Sequence, residues 1–424
     1  MSRNSENGWR SKELPYDQVI EKYPEIPPIV ALKIDVSRRG IHYTQAALDR
    51  VDPDKHHVEP YNYMIGHGKN AAPIGLFLRD GSVICQGDTP DYSKAYRDPY
   101  TLDVVDGRLV LTDEEIGKVY EEVTFWDRPD FYDKKTSNGT PMCLVASARP
   151  QRITIAPQTK CHFWDTPGEG CKYCALFSAH RSKDDEGEIR DEKWFQDVEE
   201  TTREALKEKG RYCSFHMTAG STLSGAEIFD DEVDLYIKTL HAAEKAFKTE
   251  KFPVKLVASA FSKKQLQRMY DETAITTYTT DLEVLNPELF KWICPGKSRL
   301  VGYEEWKHRL YDAVEIFGRG NVDCGIVGGV ETAQPNGFAD EDEALAAVLA
   351  EAEEMGRHGV SFADCVWNAL PGSMFVNQKT PSLEYYVKLA LGLAEVRRKN
   401  GLKIYTDDYR RCGNHPNTDL ARID

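Results

Sequence analysis

The stretch from Thr154 to Phe177, TIAPQTKCHFWDTPGEGCKYCALF, organises the reading of the whole chain. The apolar run Ile153 to Pro157 reads as a strand end. Cys161, Cys171 and Cys174 follow it on a loop, the last pair enclosing the aromatic Tyr173. Three thiolates suit zinc or iron-sulfur better than calcium or magnesium, because soft sulfur favours softer metals. The fourth ligand decides the function. A fourth protein side chain makes a structural zinc site or an electron-transfer cluster, whereas without one a metal corner stays open to a substrate or cofactor.

Outward from the loop, strand and helix signals alternate. Strand signals at 153–156, 212–218, 254–258, 275–282, 321–327 and 360–368 precede helix signals at 191–209, 228–247, 263–272, 303–317, 341–357 and 383–399. Six strand-helix units in a row imply parallel strands, since parallel neighbours need a crossover between them. The predicted fold is α/β, a partial (β/α)6 TIM-like barrel over residues 151–400 with its site at the strand C-terminal ends. The cysteine loop falls at that end of the first strand.

Residues 1–150 form a separate α+β region in this reading, with a mobile arm to about residue 30. Asp80-Gly81 and Asp106-Gly107 lie between short apolar runs, which predicts two hairpins. Thr112-Asp-Glu-Glu predicts a helix start with acidic residues in its first turn. Residues 401–424 read as a tail over the barrel mouth. There Arg410 or Arg411 would meet a substrate carboxylate, with Cys412 and His415 nearby, and an exposed tail is the alternative.

A chain of 424 residues with a formal net charge of -15 repels phosphate backbones and anionic membranes, which points to a small-molecule substrate and away from nucleic acid or membrane. No run of about 18 apolar residues predicts a membrane span. The polar start MSRNSENGWRSKELPYDQ has no apolar signal region, so a cytoplasmic, reducing location is expected, with the ten cysteines unlinked.

The spacing Cys-x9-Cys-x2-Cys with an aromatic before the last cysteine, opening a run of strand-helix units, resembles the radical S-adenosylmethionine (radical SAM) superfamily. Most members leave three residues between the first two cysteines. The later segments are similar to the biotin-synthase-like group, and the likeness covers roughly residues 150–370. The resemblance implies a 4Fe-4S cluster on Cys161, Cys171 and Cys174, with S-adenosylmethionine chelating the iron that lacks a protein ligand. It also implies an enzyme that cleaves S-adenosylmethionine reductively, makes a 5'-deoxyadenosyl radical, and takes electrons from a flavodoxin- or ferredoxin-type donor.

Further roles are carried over by the same resemblance. Tyr173 would approach the adenine. Thr218, Gly220 and Ser221 stand where the family has a Gly-Gly-Glu-like segment that bonds the methionine amino group, although the glutamate is missing. Asp281 or Glu283 would contact the ribose hydroxyls or the amino group, and Gly325 to Val327 would pack beside the adenine. Biotin synthase builds a second cluster from cysteines on successive strands. Cys213 and Cys324 sit near two of those places, but the third strand has none, so a relative without that cluster is the preferred reading. A sulfur-inserting or methylating relative stays open.

Other readings remain beside these. His162 or His180 is a candidate fourth ligand for zinc, which would make the chain a metal-binding scaffold. Carboxylates at a strand end are commonly solvated, Thr218 to Ser221 serves equally as a helix cap, and Gly325-Ile-Val-Gly serves as tight packing. Cys213, Cys324 and Cys365 on strands read by default as buried thiols. The segment from Tyr61 to Lys69 is a weak candidate for site lining.

Overall fold

The computed structural model describes residues 8–58, 72–85, 97–158, 160–175, 190–212, 214–247, 254–370, 372–403 and 415–421. The N-terminal part contains α1 (Tyr16–Lys22), α2 (Pro28–Arg39), β1 (Ile41–Tyr43), α3 (Gln45–Leu48), β2 (Leu76–Leu78), β3 (Val83–Ile84), β4 (Tyr100–Val105), β5 (Arg108–Asp113) and β6 (Lys118–Phe125). Their strands make one sheet in the order β1-β4-β5-β6-β2-β3, antiparallel except for β1 beside β4. Both expected hairpins are present. Asp106 and Gly107 turn the second with φ of 50° and 80°, the paired positive values that let a two-residue loop follow strand twist.

Two expectations fail in this region. Thr112-Asp-Glu-Glu starts no helix: β5 runs to Asp113, the chain turns through Gly117 at φ 64°, and β6 returns beside it. Cross-strand pairing wins because 118–125 alternates, turning Glu121, Val123 and Phe125 inward. The arm is not loose from residue 8 onward either, since Val19 and Ile26 are buried in the core. Helix α2 explains this. It gives Val30, Ala31 and Ile34 to the core of the larger sheet and Leu32 and Val36 to that of the smaller, so it is wedged between them.

The larger part runs through α4 (Met142–Val145), β7 (Ser147–Arg149), β8 (Arg152–Ile155), α5 (Glu192–Ala205), β9 (Ser214–Thr218), α6 (Asp230–Phe247), β10 (Val254–Ala258), α7 (Lys263–Glu272), β11 (Tyr278–Thr280), α8 (Pro287–Ile293), α9 (Pro295–Leu300), α10 (Tyr303–Phe317), β12 (Val322–Gly328), α11 (Glu341–Arg357), β13 (Ser361–Val366), α12 (Leu383–Lys399) and α13 (Pro416–Ala421). The sheet order is β13-β12-β11-β10-β9-β8-β7, with β8 to β13 parallel in chain order and β7 antiparallel at one edge. This is a mixed α/β fold consistent with a partial TIM-like barrel. The short helices α8 and α9 were not foreseen. At the far edge α13 packs on β13, where the Asn417 side-chain amide donates to the Phe362 carbonyl (2.9 Å). The rest of the tail, with Arg410, Arg411 and Cys412, lies outside the described residues, as do Tyr61 to Lys69, His180 and Cys213.

Strand alternation gives this sheet two unlike faces. Ile153, Ile155, Phe215, Met217, Val254 and Leu256 belong to the hydrophobic core formed with the helices. Their neighbours Arg152, Thr154, His216 and Lys255 point the other way, into the concavity, and pair in register as Thr154 with His216 and His216 with Lys255. Lys255 and Asp323, two strands apart, come within 3.5 Å across it.

Candidate functional site

The cysteine loop is clamped between two segments. On one side lies the turn after β9, where the His162 amide donates to the Ser221 carbonyl (2.9 Å) and the Leu223 amide to His162 Nδ1 (3.1 Å). His162 therefore spends its Nδ1 on the backbone, which weakens it as a zinc ligand. Gly220 is required here by contact: a Cβ on it would stand 2.3 Å from the Lys160 carbonyl and 2.4 Å from Cys161 Cβ. On the other side, the Lys172 amide donates to Ile293 (2.9 Å) and the Gly296 amide to Glu169 (3.1 Å), joining the loop to α8 and α9.

Cys171 is buried, and Cys161, Tyr173 and Cys174 are half-buried. Cys294, between α8 and α9, places its thiol in hydrogen-bonding contact with Cys171. That contact, ahead of opposing burial and the nearby Lys297 ammonium, pulls the Cys171 thiol down from its ordinary range. Burial pushes Cys161 up to about 11. Among the described residues no three His, Cys, Asp or Glu side chains converge as a single metal ion needs. A cubane cluster binds each thiolate to a different iron, so spaced thiols on one clamped loop suit it.

Beside the loop lies a buried charged group. Lys297 Nζ donates to Glu283 Oε1 (2.6 Å) and to the Asp281 carbonyl (2.8 Å), and it stands 4.7 Å from the centre of the Trp306 ring. Burial opposes the Lys297 charge, but Glu283 and the surrounding thiols more than offset it and hold the ammonium above the lysine range. Burial and then Glu283 push Asp281 up to about 6.

Asp281 and Glu283 were expected to alternate along a strand, but β11 ends at Thr280. Glu283 instead sits at φ 72°, an unusual backbone for a residue with a side chain. Its amide donates to Gly325 (3.1 Å) and its carbonyl accepts from Val327 (2.8 Å), which hold it there. Gly325 leaves room for the Asp281 carboxylate, since a Cβ would lie 2.1 Å from Asp281 Oδ1. Tyr173 faces the same group: after burial, the Glu283 charge is the main reason its hydroxyl holds its proton.

Thr218 to Ser221 is supported from below by a residue that sequence reasoning missed. Glu232, in the first turn of α6, accepts from the Thr222 amide (2.8 Å) and the Ser259 amide (2.9 Å), and the Ser259 hydroxyl lies 2.8 Å from both Glu232 Oε2 and Ser221 Oγ. Burial lifts Glu232 to about 7. The structure thus assembles Cys161, Cys171, Cys174, Tyr173, Asp281, Glu283, Gly325 and Val327 with Lys297 and Cys294, and sets Gly220 and Ser221 against Cys161, while Thr218 ends β9 beside Val257. Cys324 faces the helices in the core, while Cys365 lies on the concave face, 3.5 Å from His415 Nδ1. No helix among the described residues is long and apolar enough to cross a membrane.

Comparison with protein-family models and with curated proteins finds no match. Among solved structures, the chain is similar to a radical SAM methyltransferase from Sphaerobacter thermophilus, at 14% identity over 75% of this chain and 82% of that one, with TM-score 0.40. It is similar to SuiB of Streptococcus suis at 12% identity over 60% and 48% of the two chains, TM-score 0.39. It is also similar to the cobalamin-dependent S-adenosylmethionine radical enzyme OxsB at 11% identity over 77% and 49%, TM-score 0.33. Likenesses this distant do not identify the chain.

Proposed function

We propose that the protein is a radical SAM enzyme of the biotin-synthase-like group, with a (β/α)6 partial barrel, acting on a small molecule. The observation that carries this reading is the clamped loop of three cysteines after the first of the parallel strands, facing the group of Lys297, Glu283 and Asp281. Cys161, Cys171 and Cys174 would hold a 4Fe-4S cluster. With S-adenosylmethionine bound, that cluster supplies one-electron cleavage of a carbon-sulfur bond and a 5'-deoxyadenosyl radical that takes hydrogen from the substrate.

The chain's own residues bind and orient. Lys297 keeps a positive charge beside the thiolates. Glu283 is occupied by Lys297, which leaves Asp281, half-buried at the concave face, as the carboxylate suited to a ribose diol or an amino group. Glu232 fixes the turn that carries Thr218 and Ser221, in the region where the family motif has its glutamate. Tyr173 and Val327 complete the wall for the adenine. The burial of Cys324 among the helices supports a single cluster. Electrons from a flavodoxin- or ferredoxin-type donor in the cytoplasm belong to the same reading.

Anaerobic reconstitution is expected to give the absorption of a 4Fe-4S cluster, and dithionite with S-adenosylmethionine to release 5'-deoxyadenosine, both lost in Cys171→Ala. One bound zinc and no cleavage would sink the proposal. The contact between Cys294 and Cys171 favours a second reading, a closed four-thiol centre on a non-catalytic scaffold. In the open site, Cys294→Ala keeps its iron, and the electron paramagnetic resonance spectrum changes when S-adenosylmethionine is added. In the closed one, the variant loses iron and the wild-type spectrum does not respond.

A further inference from the structure

The turn after β9 carries a hydroxyl whose direction is set from beneath. Ser221 is partly exposed, and its amide hydrogen-bonds the Cys161 sulfur. Among the described residues its hydroxyl has one hydrogen-bond partner, Ser259 Oγ at 2.8 Å. Ser259 follows β10 and is buried, and its hydroxyl also lies 2.8 Å from Oε2 of the buried Glu232.

A hydroxyl has one proton to give, so the order of donors along this chain follows from its inner end. Glu232 receives the Ser259 amide on Oε1 (2.9 Å) and the Thr222 amide on Oε2 (2.8 Å). An ionised carboxylate only accepts, so the Ser259 hydroxyl gives its proton to Glu232. The Ser259 oxygen then takes the Ser221 proton. Ser221 is left with lone pairs to offer the site. A proton on Glu232 reverses every step. It has Ser259 Oγ as its acceptor, because the other two neighbours are amides; Ser259 then donates to Ser221, and the Ser221 proton turns outward.

We propose that Glu232 and Ser259 are positioning residues that hold the Ser221 hydroxyl as an acceptor, so that the turn after β9 selects a ligand with a protonated amine. That this amine is the amino group of S-adenosylmethionine rests on the function proposed above. A glutamate on α6 thus acts on the ligand through two hydroxyls, without touching it.

Burial lifts Glu232 to about 7, so it is ionised above that value and protonated below it. The groups that act on it keep one charge state around neutrality: Lys297 of α9 is held above the lysine range, and Tyr278 of β11 and Tyr236 of its own helix above the tyrosine range.

The experiment measures equilibrium binding of S-adenosylmethionine, and of its analogue lacking the amino group, to the full-length protein with its cluster reconstituted anaerobically and no reductant. At about pH 8, Ser221→Ala should weaken S-adenosylmethionine by about tenfold or more, the scale of a hydrogen bond to a charged group. Ser259→Ala should weaken it as well, and Ser259→Thr, which keeps the hydroxyl, should restore it. Neither alanine variant should change binding of the analogue, and Ser259→Ala should add nothing in the Ser221→Ala background, because the two act as one unit. Wild-type affinity for S-adenosylmethionine should fall from about pH 8 to about pH 6 as Glu232 takes up its proton, and Glu232→Gln should lose that step. Asp281 keeps its own dependence in every variant. Equal losses for both nucleosides in Ser259→Ala, additive losses in the double variant, or a step that survives Glu232→Gln overturns the proposal. If neither nucleoside binds, the radical SAM reading falls together with this one; if both bind with the wrong pattern, this one falls alone.

Discussion

Two groups of buried charge, one around α2 and one in the concavity of the larger sheet, differ in how closely their charges meet. Around α2, four guanidinium groups meet three carboxylates: Arg38 bonds Asp35 and Glu13, Arg39 forms an ion pair with Asp113 (2.8 Å) and lies near Asp35, Arg97 bonds Glu13 (2.6 Å), and the less buried Arg10 bonds Asp113 as well (3.0 Å). Tyr100 adds a hydroxyl to Asp35 (2.7 Å), and Arg97 also reaches the Thr380 hydroxyl (2.7 Å) ahead of α12. Each of these charges meets an opposite one at short range, and the group ties the small sheet to the large one. In the concavity, Lys255 stands 3.5 Å from Asp323 and also acts on Asp281, a looser pairing than the short contacts around α2. A buried network of short ion pairs between elements acts as a staple.

The largest effect should come from unbalancing the staple. Arg38 has a side-chain exposure of 1%, and its partners Asp35 and Glu13 have 5% and 6%. Arg38→Met leaves two carboxylates buried with less compensation. A loss of roughly 3–5 kcal/mol is expected in urea denaturation, the usual cost of removing one member of a buried ion pair. A loss below about 1 kcal/mol, the scale of surface pairs, would show that the network is not a staple.

A second test concerns Asp281, on the other side of the comparison. Its carboxyl is raised from 3.8 to about 6 by burial and by Glu283. The folded state therefore holds a proton that the unfolded state has released between these values, so this group's own contribution to stability is greatest below about pH 4, falls as pH rises to about 6, and is level above it. Asp281→Asn removes that decline. The variant should be more stable than the wild type at pH 7.5 by an amount on the order of 2 kcal/mol, since each tenfold change in proton affinity is worth about 1.4 kcal/mol. Below pH 4 the two should agree. Parallel stability curves across pH 4 to 7.5 would rule out the raised carboxyl.

What could be read from sequence follows the range of the interactions involved. The parallel strands and their helices were legible because alternation and apolar periodicity are local, and the cysteines because they share one loop. Thr112-Asp-Glu-Glu misled because a helix cap is also local, while the pairing of β5 with β6 that displaced it is not. Lys297, Cys294 and Glu232 were invisible as site residues because each comes from a helix, or the junction of two, far along the chain and acts through the fold. Lys255 did leave a signal. In Val254-Lys-Leu-Val-Ala a charge alternates with the apolar residues of a buried strand, so period two turns it away from the helices.

The smallest effect is expected where a salt bridge spans the cysteine loop and α9. Arg299 bonds both Glu169 oxygens, one at 2.6 Å, but its side chain is 57% exposed. Water screens such a pair, and ordering two long side chains offsets much of its attraction. Arg299→Ala should leave the denaturation midpoint and the reconstituted iron content unchanged. The loop is held at the same point by backbone contact, and Gly296 shows it: a Cβ there would stand 2.6 Å from the Glu169 carbonyl and 2.6 Å from the Phe163 ring. Gly296→Ala should therefore displace the loop and lower iron content, although it removes no charge. If Arg299→Ala were the more damaging of the two, exposed charge rather than backbone packing would be holding the cysteines in place. The contrast between buried and surface charge would then fail at the site where it matters most.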